Sequence, residues 1–332
     1  MQVSDAGDPG LAFTLYFPLV VALQATVGVK FMWSIIMCEW SNMILKWILA
    51  GDRPYWWIHE TSLYKDRFPP FLYQFPRTCE TGPGMPSGHT KLNAAMLYIL
   101  VSAFIDRVLS KMFFLSVRQR AWARRGLWAS YCVWMTLVVL ARTYMAAHFP
   151  HQCVAGGVLG LAIAVVVWRS TRLEALTRRQ YLALSGTIIA TVLGTFYLQM
   201  FMGHNVLWSL EKAVKWCVKQ EYIHLDTTPL YSFCRYSGVS LGLGLALSSS
   251  MYKRANTPKF SKKMVASLLV LNLAVSQVGV LVHQSLPPTM MGWYPAEFTL
   301  HTTVTFLLVA ALPHFVRTAS GVPAAVDRYK RK

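Results

Sequence analysis

"EWSNMILKWILAGDRPYWW", residues 39–57, is an apolar run that ends in a lysine, an arginine, a proline and a cluster of aromatics. Lys46 sits near the end of the run, and Arg53 follows seven residues later, immediately before Pro54. A cation inside such a run is costly unless it reaches a polar boundary or a partner. On its simplest reading both cations snorkel to lipid headgroups inside an aromatic belt of Trp47, Tyr55, Trp56 and Trp57. Glu39 lies on the same helix face as Lys46 and is a candidate partner for it. Either way the stretch reads as the end of a membrane-spanning helix.

The rest of the chain has the same character. Of 332 residues, 55% are hydrophobic and only 14% are charged, about half the usual soluble share of charge. The apolar residues fall in blocks of roughly 20, the length that crosses a bilayer as a helix. Nine such spans are expected, near 11–29, 31–50, 92–105, 127–145, 153–168, 181–202, 236–251, 264–282 and 296–315, with the boundary between the first two at Lys30. No polar stretch is long enough for a separate soluble domain, and no internal repeat is visible. The fold class is therefore all-α: a polytopic membrane protein of about nine helices, forming a single membrane-embedded domain over 1–332. Gly156 and Gly160, and Gly238 and Gly242, have the small-xxx-small spacing that lets membrane helices approach closely. The N-terminus "MQVSDAGDPG" is acidic and lacks the basic region of a signal peptide, so the first span is expected to act as the targeting signal.

The net charge of +18 reads as topology. Arg107, Lys111, Arg118, Arg120, Arg124 and Arg125 follow the third span. Arg169, Arg172, Arg178 and Arg179 follow the fifth, and Lys253, Arg254, Lys259, Lys262 and Lys263 follow the seventh. The intervening "AAHFPHQ" and "HQSLPPTMMGWYP" carry no Lys or Arg. The positive-inside rule places the basic loops and the "RYKRK" tail in the cytosol. An odd number of spans then places the N-terminus, with Asp5 and Asp8, on the other side. No basic stretch has the interleaved aromatics or zinc spacing of a nucleic-acid module, so no nucleic-acid partner is expected. Of six cysteines, Cys79 and Cys217 fall in polar loops, where a disulfide is possible on sequence grounds alone.

With that orientation three polar blocks face one non-cytosolic compartment. The first is Lys46 with Arg53. The second is "GPGMPSGHTK", residues 82–91, which reads as a flexible, polar, cationic loop holding Ser87, Gly88 and His89. The third is "VVLARTYMAAHFPHQ", where Arg142 precedes His148 by six residues. Each alone has a plain explanation: snorkelling, a glycine turn, a capping histidine. Together they hold what phosphate chemistry needs. Backbone N–H groups at a helix N-terminus bind oxyanions. Arginine grips phosphate oxygens in pairs and lysine adds a point charge. One histidine can attack phosphorus and another can protonate the leaving oxygen. A two-metal hydrolase would need clustered carboxylates. The non-cytosolic loops offer only scattered acids, Asp52, Glu60, Asp66, Glu80, Glu211, Glu221 and Asp226, and no HExxH or DxD pattern. His148 and His151 could ligate a metal, but no further ligands are evident. No metal and no cofactor are expected.

In order, Lys46-x6-Arg53-Pro54, Pro86-Ser87-Gly88-His89 and Arg142-x5-His148 resemble the three-part signature of the membrane phosphatidic-acid-phosphatase and vanadium-haloperoxidase superfamily. Two positions depart from it. Ala141 stands where the family has Ser before the Arg. Gln152 stands where it has the Asp that orients the nucleophilic His. Gln152 points to one branch. "KWILAGDRPYWW", "QFPRTCETGPGMPSGH", "AAHFPHQCVAG", "LEKAVKWC", "HLDTTP" and "GLGLALSSSMY" are similar to glucose-6-phosphatase catalytic subunits, which carry "HFPHQ" themselves. The resemblance runs from about residue 12 to 255 and more loosely beyond, with a start about one helical segment short of the family's.

The resemblance implies hydrolysis of D-glucose 6-phosphate at the lumenal face of the endoplasmic reticulum through a phosphohistidine on His148. His89 would be the acid and base, and Lys46, Arg53, Ser87, Gly88 and Arg142 would hold the phosphate. It implies membrane lipid and a glucose-6-phosphate transporter as partners. "RYKRK" loosely resembles a retrieval signal of that compartment. Tyr55, Trp56 and Trp57 would either wall the sugar or form the interfacial belt. The alternatives are a lipid-phosphate phosphatase of the same superfamily and a non-catalytic phosphate-binding transporter.

Overall fold

The computed structural model describes residues 3, 6–64, 68–171, 173, 175–255, 260–286 and 290–321. Asp5, Asp66, Arg172, Lys259, part of the 283–295 loop and the basic tail at 328–332 lie outside the described residues. No strand occurs among the described residues, and β pairing there is confined to one isolated bridge between Glu80 and His224. The helices are α1 (Pro9–Leu23), α2 (Ala25–Leu49), α3 (Pro54–Glu60), α4 (Gly88–Arg107), α5 (Val117–Tyr144), α6 (Pro150–Arg169), α7 (Arg178–Phe201), α8 (Trp208–Trp216), α9 (Pro229–Ser248), α10 (Ser250–Ala255), α11 (Lys262–Gln284) and α12 (Met290–Phe306). A π-turn, Leu307–Ala311, carries α12 on into Leu312–Ala319.

The nine stretches expected to span a membrane fall on helices, the first of them interrupted at Gln24. Six helices are long and apolar enough to cross one: Gly88–Lys111, Val117–Tyr144, Pro150–Arg169, Arg178–Phe201, Lys262–Gln284 and Gly292–Ala319. Helix α5 shows what solvent they suit. Val133, Leu137 and Leu140 stand exposed along it. Such a row of bare aliphatic side chains is unfavourable in water and neutral in hydrocarbon.

The break between the first two stretches is not at Lys30 but at Gln24, whose backbone is extended (φ −156°, ψ 101°). Helix α2 runs on through Lys30 because the ammonium is satisfied: its Nζ donates to the Trp168 carbonyl at 2.8 Å and lies 5.1 Å from the Trp168 ring. A charge with such partners need not end an apolar helix.

The chain forms two compact units. One comprises Met1–Asp8, Met37–Val166 and Thr191–Phe233; the other comprises Pro9–Ile36, Val167–Ala190 and Cys234–Lys332. Both use the small-residue spacing. In the first, Gly156 and Gly160 of α6 press against α4, where an added Cβ would sit 2.4 Å from the Ser87 carbonyl and 2.0 Å from that of Lys91. In the second, Gly238 and Gly242 of α9 press against α12, 2.4 Å from the carbonyls of Phe298 and Thr302 by the same measure. Only hydrogen at these positions permits the backbone contact. The first unit holds all three polar blocks.

Within that unit, α3 and α8 are short polar-edged helices that the nine-span reading did not contain. Cys79 and Cys217 form a disulfide with Cα atoms 5.9 Å apart. Tyr55, Trp56, Cys79 and Ala213 make a small core beside it, with Trp56 edge-on to Trp208 at 5.9 Å. Lys212 of α8 ties the layer together, reaching Asp52 at 3.2 Å and Glu60 at 2.9 Å.

Candidate active site

The glycine-rich loop is neither exposed nor loose: Glu80 to Gly84, Pro86 and Ser87 are all buried. Cations hold its carbonyls. Lys46 Nζ donates to Pro83 O at 2.9 Å. Arg53 Nε donates to Gly82 O at 2.7 Å and its Nη2 to Pro83 O at 3.2 Å. Gly84 is glycine because a Cβ there would lie 2.5 Å from Asp52 O and 2.9 Å from the Gln152 amide. The loop feeds directly into α4. Ser87 occupies the N-cap without its side chain capping the helix, and the buried hydroxyl bonds no nitrogen or oxygen among the described residues. Gly88 is the first residue of α4, and His89 the second. His89 therefore belongs to a helix turn, not to a mobile segment.

Arg142 is the only basic residue in the last turn of α5, and His148 lies just beyond in the turn before α6. Both are buried, as is Arg53. Leaving the two guanidinium charges unpaired would cost about 3–5 kcal/mol each. A residue that sequence reasoning left among the scattered acids resolves this. The Glu80 carboxylate stands between them, with Oε2 2.8 Å from Arg53 Nη1 and Oε1 bonded to Arg142 Nη2. His89 Nδ1 is 3.2 Å from Oε1 and His148 Nε2 is 3.4 Å from Oε2. Burial alone would raise the Glu80 carboxyl, but Arg142 and then Arg53 reverse this and hold it well below its ordinary value. Nothing local marked Glu80. Only the convergence of four distant elements does.

The surroundings of His148 fix its tautomer. Its Nδ1 lies 2.8 Å from the Gly84 carbonyl, which can only accept. Its Nε2 lies 3.1 Å from Arg53 Nη1, which can only donate. Nδ1 therefore carries the proton and Nε2 a lone pair. Burial, then the Arg53 charge, disfavour the imidazolium and lower its pKa to about 3. Gln152 supplies the second brace: its Oε1 is 3.3 Å from Nδ1 and accepts from Phe149 N at 3.1 Å, while its Nε2 donates to Asp52 O at 2.7 Å. An amide oxygen thus braces Nδ1 from the position where the sequence resemblance led one to expect a carboxylate.

A cavity of about 350 Å³ reaches His148 and is lined by Pro54, Tyr73, Phe75, Tyr144 and Phe149, among others. Tyr55 and Trp56 are not in its wall and are fully buried, so they form no interfacial belt. Tyr55 instead donates its hydroxyl to the Glu80 carbonyl at 3.0 Å. Trp57 packs edge-on to Phe149 at 5.5 Å. His151 stacks on Phe149.

The structure thus brings Arg53, Arg142, His89 and His148 to one carboxylate and places Lys46 on the loop that carries Ser87 and Gly88. The model of the PAP2 superfamily matches residues 27–175, a segment that contains every one of these residues. Glucose-6-phosphatase catalytic subunit 1 of Rattus norvegicus is 36% identical over 320 residues, covering 94% of this chain and 87% of the relative. Glucose-6-phosphatase 3 of Homo sapiens is 36% identical over 328 residues, with 98% and 91% covered. Glucose-6-phosphatase 2 of Mus musculus is 34% identical over 318 residues, with 95% and 89% covered. No solved structure matches the chain. With identity of this level running from end to end, and the signature residues gathered at one site, the chain belongs to the glucose-6-phosphatase family within the PAP2 superfamily.

Proposed function

We propose that the protein is a phosphoric-monoester hydrolase of the endoplasmic reticulum membrane that cleaves D-glucose 6-phosphate to glucose and phosphate. The observation that carries this reading is the His148 ring. Its lone-pair nitrogen is fixed by two neighbours of opposite polarity and aimed at the point where Arg53, Arg142 and His89 converge. A nucleophile of defined tautomer facing a cationic cradle is what in-line attack on phosphorus requires.

In the first step Nε2 of His148 bonds to phosphorus as the bond from phosphorus to the sugar oxygen breaks. Protonated His89 gives its proton to that oxygen, and Nδ1–H of His148 stays on Gly84 O. Arg53, Arg142 and Lys46, with Ser87 and the Gly88 amide, neutralise the oxygens of the transition state. In the second step His89 takes a proton from water, the water attacks phosphorus, and the nitrogen–phosphorus bond breaks. Side-chain cations supply the charge stabilisation, and no cofactor enters.

The site faces the lumen in this reading, and the reaction is the last step of gluconeogenesis and glycogenolysis. The nine helical stretches cross the membrane, the N-terminus is lumenal and the C-terminus cytosolic, and 1–332 acts as a single membrane-embedded phosphatase domain. Two features support the orientation. The basic residues after α4, α6 and α10 fit cytosolic loops, and the disulfide beside Glu80 suits an oxidising compartment. Membrane lipid surrounds the helices, and a glucose-6-phosphate transporter would deliver substrate across them.

The test is phosphate release by purified protein from glucose 6-phosphate, mannose 6-phosphate, 1,5-anhydroglucitol 6-phosphate and phosphatidic acid, with and without chelator. Turnover of the sugar phosphates that survives chelation is expected. Preference for phosphatidic acid would make the protein a lipid-phosphate phosphatase, and phosphate binding without turnover would make it a transporter or binding protein.

A further inference from the structure

We propose that Glu80 is a resident occupant of the phosphate position: its carboxylate competes with phosphate for Arg53 and Arg142 and so sets the affinity of the site for free anions. The proposal rests on reading this site as a phosphate site. It makes Glu80 a determinant of affinity that the three-part signature does not contain.

The geometry supplies two arguments. First, the carboxylate uses the same partners that a phosphate would. Its oxygens divide between Arg53 and Arg142 on one side and face His89 and His148 on the other. Carboxylate and phosphate oxygens accept from the same guanidinium donors, so a phosphate between the two arginines meets the Arg53 Nη1 and Arg142 Nη2 groups that Glu80 already holds. Second, a reacting atom must stand about 3–3.5 Å from the nucleophile, and Glu80 Oε2 stands 3.4 Å from His148 Nε2.

Glu80 can leave without the loop moving. Its own carbonyl takes the Tyr55 hydroxyl at 3.0 Å, and the Cys79 carbonyl takes the His224 amide at 3.0 Å. Thr81 Oγ1 donates to His224 O at 2.7 Å, and the disulfide pins Cys79. With the backbone held on both sides, rotation about the side-chain bonds withdraws the carboxylate. The same rotation in reverse would help expel product phosphate.

The test measures binding of inorganic phosphate and of orthovanadate to the full-length protein in detergent, followed by thermal stabilisation, which needs no turnover. Glu80→Gln keeps the shape and removes the competing charge. It should bind both anions about tenfold or more tightly than wild type, because charge-assisted bonds of the competitor are worth at least that. Weaker or equal binding by Glu80→Gln would overturn the proposal and leave Glu80 as a brace for the arginines. If wild type binds phosphate yet cleaves no ester, the hydrolase reading fails while the competition is still decided by the sign of the change. If neither protein binds either anion, both fail. Should Glu80→Gln not fold, the structure of the wild-type protein with orthovanadate decides. Glu80 displaced from both arginines by the vanadate oxygens is the expected result, and Glu80 still paired with them beside bound vanadate is the contrary one.

Discussion

Nδ1 of His148 lies 2.8 Å from the carbonyl oxygen of Gly84, and an acceptor at that distance leaves the ring one tautomer. The glycine-rich loop therefore sets which nitrogen of His148 is free, and Gln152 Oε1, 3.3 Å from the same Nδ1, adds a second acceptor.

Gln152→Leu removes that second acceptor and the tether to Asp52 O while leaving the Gly84 contact. Turnover should fall about 10–100-fold, the cost of a slightly misplaced nucleophile, with KM little changed. Steady-state kinetics on glucose 6-phosphate would show it. A raised KM at unchanged kcat would mean that Gln152 binds substrate and does not position His148.

Gly84→Ala tests the loop itself. The new Cβ would meet Asp52 O at 2.5 Å and the Gln152 amide at 2.9 Å. Backbone must shift, at about 1–3 kcal/mol for such overpacking, and the Nδ1 contact shifts with it. A lower melting temperature and a loss of kcat larger than that of Gln152→Leu are expected. Wild-type kcat in a folded Gly84→Ala protein would show that Gly84 does not set the tautomer.

The bond between Cys79 and Cys217 closes 138 residues of chain and anchors the residue next to Glu80. Alkylation in denaturant without reduction should modify four thiols, Cys38, Cys132, Cys153 and Cys234, and after reduction all six, read by intact mass. Cys217→Ser should lower stability by about 2–4 kcal/mol. Six alkylated thiols in protein isolated without reductant would remove the bond and its support for an oxidising compartment.

Orientation is tested by single added cysteines in sealed microsomes. Ser62 and Arg118 are both exposed, Ser62 beyond α3 and Arg118 in the basic segment at the start of α5. A cysteine at Ser62 should be protected from an impermeant reagent until detergent is added, and one at Arg118 should label at once. The opposite pattern would place the site in the cytosol.

The parts of the site that sequence disclosed are those whose residue types carry chemistry at fixed local spacing. Lys46 with Arg53 before Pro54, and Arg142 six before His148, could each be placed at a helix end before any geometry was known, whereas the glycines and prolines around Ser87, Gly88 and His89 read as a flexible loop and hid the helix that starts at Gly88. Glu80 could not. It is one of several acids in the segment after α2, and Asp52 and Glu60, which reach Lys212 instead, look no different in sequence. The helices were legible because hydrocarbon demands long apolar runs. The break at Gln24 was not, because a charge at Lys30 looks like a boundary unless the Trp168 carbonyl and ring are known to satisfy it. Tyr55 and Trp56 look like a membrane belt for a similar reason: an aromatic next to a span end has the same sequence whether it faces headgroups or Cys79 and Ala213.

The central claim is that Nε2 of His148 becomes covalently bonded to phosphorus. Rapid quench with ³²P-labelled glucose 6-phosphate measures this directly. Wild-type protein should carry label in an acid-labile, alkali-stable adduct, as a phosphohistidine does, and His148→Ala should carry none. His89→Ala should turn over glucose 6-phosphate about 10²–10⁴-fold more slowly. It should still form the adduct from p-nitrophenyl phosphate, whose leaving group needs little protonation. A labelled adduct that persists in His148→Ala would contradict the account and move the nucleophile to His89 or His151.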